Sequence, residues 1–266
     1  MMTCWTPGRS MLRGIIAASL GLMVSIAAAD DIHVVSSGGF AAAYRALAPC
    51  FEKQTGHHLV IAWGPSMGET PQAIPNRLAR GEDIDVVIMV GTSLDELISH
   101  GKVLDAQHQV LARSRIGLAV KAGAARPDIS SMEGLRKALL AAKSIAYSDS
   151  ASGVFLSTVL IPRMGIAEQI KGKSRMIPAE PVGQVVARGE AEIGLQQISE
   201  LLPIPGIDLV GALPDAAQQI TPFSAGIVAD SKAREAAKAL INYLASPTAA
   251  PLIRQTGLDP ANDNAH

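Results

Sequence analysis

Apolar residues along this chain switch repeatedly between short continuous runs and a spacing of three or four. Ile32-His33-Val34-Val35 is a β-rich run closed by Ser36-Ser37-Gly38-Gly39. Phe40, Tyr44, Leu47 and Phe51 then recur at helical spacing until Gly56. The pattern predicts strands at His58–Trp63, 85–89, Ile116–Lys121, 145–147, 192–197, 207–210 and 223–229. Helices are expected around 72–80, from Leu94 through Ile98, from the Ser130-Ser131-Met132-Glu133 capping box to about 142, and over 154–164, 181–188, 232–244 and 247–255. The run at 85–89 is apolar throughout, as a strand covered on both faces should be. Such repeated strand–loop–helix units imply parallel sheet flanked by helices, with ligands held outside the carboxyl ends of the strands.

One segment stands outside this pattern. Arg9 and Arg13 precede an apolar run of about 14 residues from Gly14 to Ala27, followed by Ala27-Ala28-Ala29 and then Asp30. Charged, apolar and small-residue zones in that order predict a secretory signal peptide over residues 1–29, and the run is shorter than the roughly 20 residues of a bilayer span. The expectation is an exported, periplasmic protein of 30–266 with no membrane insertion after leader removal. Cleavage there leaves 21 basic against 24 acidic residues, a net charge near −3, with no basic block to suggest nucleic acid. Cys50, on the first helix, is expected as a buried structural thiol. Aromatic residues make up 3% of the chain, so aliphatic side chains must build the core and a stacking platform for sugars or bases is not expected.

Three loops after strands concentrate glycine and hydroxyl residues: Ser36-Ser37-Gly38-Gly39, Gly64-Pro65-Ser66-Met67-Gly68-Glu69-Thr70 and Ser148-Asp149-Ser150-Ala151-Ser152-Gly153. Glycine allows close backbone approach, serine supplies a neutral donor, and the following helix start supplies free N–H groups. One such loop is ordinary capping; three at one sheet edge predict a bound anion. Sharper motifs fail. There is no G-x-G-x-x-G and no phosphate-binding G-x-x-x-x-G-K-[ST]. The adjacent His57-His58 lack metal-ligand spacing, and the G-x-S-x-G at Gly64-Pro65-Ser66-Met67-Gly68 follows only the second strand, too early for a hydrolase elbow. No cofactor and no metal are expected.

In this order the loops resemble the type II periplasmic solute-binding proteins, and among them the molybdate-binding receptors. The likeness runs from about residue 32 to 260 and rests on 36–40 with Phe51-Glu52, 64–68, Gly81-Glu82-Asp83-Ile84-Asp85-Val86-Val87, 145–153, 185–194 and 245–258. It implies an α/β fold of two lobes, each a mainly parallel sheet flanked by helices, joined by two hinge strands. Lobe one would be 30–115 with 224–259, and lobe two the inserted 116–223. Carried over, the hydroxyl ligands fall on Ser36 or Ser37, beside Gly38, and on Ser66, beside Met67. The backbone donors fall at Ser150-Ala151 and Val182, and the receptors' tyrosine falls near Gln197. That last departure favours an organic polycarboxylate over molybdate or tungstate. A monomer is implied, delivering its anion to an ABC permease.

The stretch 64–80 is also similar to that of bacterial aconitate isomerases, exported enzymes on this receptor fold. That likeness implies a tricarboxylate and a cofactor-free allylic proton shift, with Arg77 or Arg80 as carboxylate partners. Tyr147, Asp149 and Glu69 are the ionisable residues placed to act as base.

Overall fold

The computed structural model describes residues 29–178 and 180–262. The expected signal peptide, Ala29 apart, lies outside the described residues. The strands are β1 (Asp31–Ser36), β2 (His58–Trp63), β3 (Val86–Val90), β4 (Gln109–Ser114), β5 (Ile116–Lys121), β6 (Ile145–Ser148), β7 (Ser174–Ile177), β8 (Ile193–Gln197), β9 (Ile207–Ala212), β10 (Thr221–Ile227) and β11 (Leu258–Pro260). They form two sheets flanked by helices, ordered β11-β4-β10-β3-β1-β2 and β7-β6-β8-β5-β9. Each is parallel where strand–helix units repeat, β2-β1-β3 in one and β7-β6-β8 in the other. The remaining pairings are antiparallel. The chain crosses between sheets twice, through Arg115 from β4 to β5 and through 213–220 from β9 to β10.

Alternation along the strands separates two cores in the first sheet. Val34, Val86 and Ile88 pack with Phe40, Tyr44, Leu47 and Phe51 of the helix Gly38–Thr55, and with Leu240 and Leu244 from the helix Arg234–Leu244. Val35, Val87 and Met89 face Ile74, Leu78, Leu94 and Leu97 on the other side. A strand buried on both faces cannot shift register by one residue without exchanging its two sets of neighbours, which fixes where its last residue ends. The helix Gly38–Thr55 stops at Gly56, whose φ of 80° is the left-handed cap and whose N–H donates to Glu52 O. Ser131 caps the helix Met132–Ala141 by accepting from Gly134 N, one residue later than the Ser130 that the capping box places at the cap.

Three short strands went unseen in the sequence, β4, β7 and β11. The helix expected over 154–164 begins earlier, at Ala151, and runs through a π-helical stretch at 156–160. Cys50, expected as a buried thiol, is half-buried on its helix and is not free. Among the described residues no helix is long and apolar enough to cross a membrane.

Candidate functional site

The carboxyl ends of the parallel strands from both sheets surround one cavity of about 580 Å³. Ser37, Gly38 and Gly39 follow β1; Trp63 closes β2 and Gly64, Pro65, Ser66 and Met67 follow it; Val90 closes β3. From the second sheet come Ser148, which closes β6, with Asp149 to Ala151 after it, Glu180 and Pro181 after β7, and Gln196 and Gln197 at the end of β8 with Glu200 just beyond. The three loops singled out in the sequence therefore meet.

Each predicted residue has a definite place. Ser37, Gly38, Ser66, Met67, Ser150, Ala151, Gln197 and Asp149 line the cavity. Ser36 is among its buried neighbours instead, donating its hydroxyl to Ser37 O at 3.2 Å. Val182 is also outside, because its N–H already donates to Gln196 Oε1 at 2.9 Å. Tyr147 packs its ring against the core of the second sheet, and Glu69 is exposed on the loop; neither is among the described lining residues. Arg77 and Arg80 do not line it either. Both turn onto Glu82, at 2.7 and 2.6 Å, and onto carbonyls of the 64–73 loop.

The lining hydroxyls are poised to donate. Ser37 Oγ and Thr70 Oγ1 are buried and find no hydrogen-bond partner among the described residues, an arrangement costly unless a ligand answers it. Ser66 Oγ accepts the Val90 N–H at 3.0 Å, which anchors the oxygen and leaves its proton to give. Ser148, Ser150 and Ser152 form a hydroxyl cluster, with Oγ–Oγ distances of 2.7 Å from Ser148 to Ser150 and 3.1 Å from Ser148 to Ser152. Gly38 opens an 18-residue helix, so the amides of its first turn have no partner within the helix. Trp63 forms a wall held edge-on by Tyr44 at 5.9 Å, with the Arg45 guanidinium 4.4 Å above its ring.

Charge is distributed unusually for an anion site. Among the described lining residues there is no lysine, arginine or histidine, while Asp149, Glu180 and Glu200 bring carboxyls. Glu180 is neutralised by Arg188 Nη1 at 2.6 Å, which holds its carboxyl below the usual range. Glu200 sits deep in the cavity and behaves oppositely: burial pushes it up to about 7, against a hydrogen bond from Gln196 and with help from the Asp149 charge. Gln196 spans both, its oxygen on Val182 N–H and its amide nitrogen on Glu200. No group of three or more metal-ligating side chains occurs among the described residues.

Glu200, Gln196, Trp63 and Glu180 were missed by the sequence reading, and Thr70 lay in a loop it singled out without being named as a ligand. Gln197 came from the likeness to the receptors' tyrosine position; the signal that could have found Glu200 and Gln196 is the rule that ligands sit where parallel strands end, since both lie at or just past the end of β8.

A two-lobed α/β fold with an anion-suited cavity between strand ends defines the solute-binding proteins, and the comparisons agree. Residues 32–259 match the bacterial extracellular solute-binding protein family, to which this chain belongs. The solved periplasmic molybdate-binding protein of Azotobacter vinelandii superposes with a TM-score of 0.69 at 21% identity, covering 85% of this chain and 98% of that one. The sulfate-binding protein SubI of Mycobacterium tuberculosis H37Rv gives 0.66 at 19% identity, covering 88% of each. In sequence, the molybdate-binding protein ModA of Azotobacter vinelandii is 26% identical over 260 residues, 93% of this chain and 97% of its own length. A more similar relative is an aconitate isomerase of a Pseudomonas species, 54% identical over 229 residues, 86% of this chain and 87% of its own length.

Proposed function

We propose that this protein is an exported periplasmic enzyme that binds a tricarboxylate between its lobes and interconverts trans- and cis-aconitate without a cofactor. The observation that carries the reading is the cavity: neutral hydroxyls from three loops surround a deep carboxyl able to exchange a proton near neutrality. The 54% identity to an aconitate isomerase supports the same substrate class. About 580 Å³ suits an organic acid and is loose for a tetrahedral oxyanion, which wants a close cage of fixed donors. At the position where the molybdate receptors carry tyrosine, Gln197 instead donates to Thr221 Oγ1 at 3.1 Å.

In this reading the lobes are 30–115 with 224–259 and the inserted 116–223, with the return crossing at 213–220 and the first residues of β10, 221–223, already paired in the first sheet. Closure is a hinge motion about the two crossings. Hydroxyls of Ser37, Ser66 and Ser150 and the Gly38 amide hold the carboxylates; residues 1–29 direct export.

The test is direct. Purified 30–266 incubated with trans-aconitate is followed by proton NMR, and cis-aconitate appears at an enzymatic rate. A thermal shift with trans-aconitate but no conversion identifies instead a receptor that hands its ligand to a permease.

A further inference from the structure

Of the carboxyls around the cavity, one is placed to move a proton. We propose that Glu200 is the acid–base group of the isomerisation: its carboxylate takes the proton from the substrate methylene and returns it to the far alkene carbon. The inference rests on the isomerase reading above and names the residue that performs it.

Three observations single out Glu200. Its carboxyl lies deep in the cavity, in the notch left by Gly38, where any Cβ would collide with Glu200 Oε1. Gln196 holds it, and Gln196 is itself fixed by the Val182 N–H. The helix Ile198–Leu201 that carries it is pinned by Ser199 Oγ donating to Gly39 O at 2.8 Å. The alternatives are less suited: Asp149 is exposed at the mouth, and Glu180 is engaged by Arg188. These two carboxyls are the other ionisable lining groups among the described residues, and Asp149 is the charged neighbour acting on Glu200.

The step balances within the substrate. The methylene C–H bond breaks and its proton passes to Glu200. The electron pair forms the new C=C while the old alkene pair shifts to the far carbon. That carbon takes the proton back, and Glu200 is again a carboxylate. Negative charge spreads onto a substrate carboxylate meanwhile, where the hydroxyls of Ser37 and Ser66 can receive it. Burial, the largest influence on Glu200, lifts it to about 7, so it is a stronger base than an exposed glutamate and is still about half ionised at neutral pH.

The experiment compares wild type with E200Q on trans-aconitate by NMR, alongside the wild-type pH profile. E200Q should lose about a thousandfold in turnover while trans-aconitate still raises its Tm. Wild-type kcat/KM should fall about tenfold per pH unit below about 7, since this ratio reports the free enzyme. An E200Q variant retaining more than about a tenth of wild-type turnover, or a flat profile between about pH 5.5 and 8.5, overturns the assignment and leaves the isomerase standing. Wild type that leaves trans-aconitate unchanged overturns both. Should E200Q fail to fold, the wild-type profile decides alone.

Discussion

Ser199 Oγ and the Gly39 carbonyl meet at 2.8 Å, buried, joining the helix after β8 to the first turn of the helix after β1. This bond spans the two sheets at the floor of the cavity, beside Glu200. Ser199→Ala removes a donor whose acceptor keeps its own helical partner, so the cost to stability should be modest, about 1 kcal/mol by denaturant unfolding. The closed arrangement should suffer more. KM for trans-aconitate is expected to rise about fivefold, and unchanged KM and stability would show that the contact does not link the sheets energetically.

Asp85, the residue before β3, is a structural carboxylate of a different kind. Burial alone pushes it up. The Ser231 hydroxyl at 2.6 Å, the His33 and Ala233 amides at 2.9 and 3.3 Å and the nearby His33 ring outweigh that and hold it below the usual range. A depressed carboxyl stabilises the fold above its unfolded value, near 3.9, and that contribution is lost as pH falls through the folded value. Asp85→Asn should therefore cost about 3 kcal/mol at neutral pH and progressively less under acid. Unfolding curves at about pH 7 and about pH 3 check this. A gap that is the same at both would mean the charge is irrelevant.

What the sequence made legible follows burial and periodicity. The strand at His58–Trp63 and the strand at Ile116–Lys121 were read to the residue: Gly56 and Gly64 bracket the first, and the second is a continuous apolar run from Ile116 that stops at Lys121, just before Gly123. β11, only three residues, exists because Leu258 pairs with Ser114 across the whole second lobe, a contact no local pattern announces. β7 is a short edge strand whose Arg175 and Met176 are exposed, so it carries no apolar signature. The helix at Ala151 was hidden because Ser148 to Gly153 reads as a loop; Ser150, extended at φ −87° and ψ −175°, is where it starts. Hydroxyl-rich loops were visible, whereas Glu200 was not. Its character comes from burial against Gly38 and from Asp149, both remote along the chain.

Arg77 shows the same divide. Sequence reading offered it as a carboxylate partner, but its Nε donates to Gln72 O at 3.1 Å, its Nη2 to Trp63 O at 3.4 Å and its Nη1 to Glu82 at 2.7 Å. It cinches the loop that positions Ser66. Arg77→Ala should raise KM for trans-aconitate about tenfold with kcat nearly unchanged, and lysine should not rescue it, since an ammonium cannot reproduce the fork. Glu82→Gln, remote from the cavity, should reproduce part of the effect. If only the arginine substitutions weaken binding, Arg77 acts on the ligand and not through the loop.

Glu200 also sets a pH dependence of stability that is independent of any assay of turnover. Its carboxyl is raised in the folded protein, to about 7, so folding favours the protonated form. The contribution is complete below the unfolded value, near 4.3, and disappears as pH rises through the folded value. Wild type should thus lose stability between about pH 4.5 and 7.5 relative to Glu200→Gln, which stays neutral throughout and keeps the Gln196 contact. The expected difference is on the order of 2 kcal/mol by pH 8, discounted from the full shift because the carboxyl keeps some contact with solvent. Denaturant midpoints of both proteins across that range measure it. Parallel curves would show that the carboxyl is already ionised well below neutrality, and with that its basicity near pH 7 would be gone.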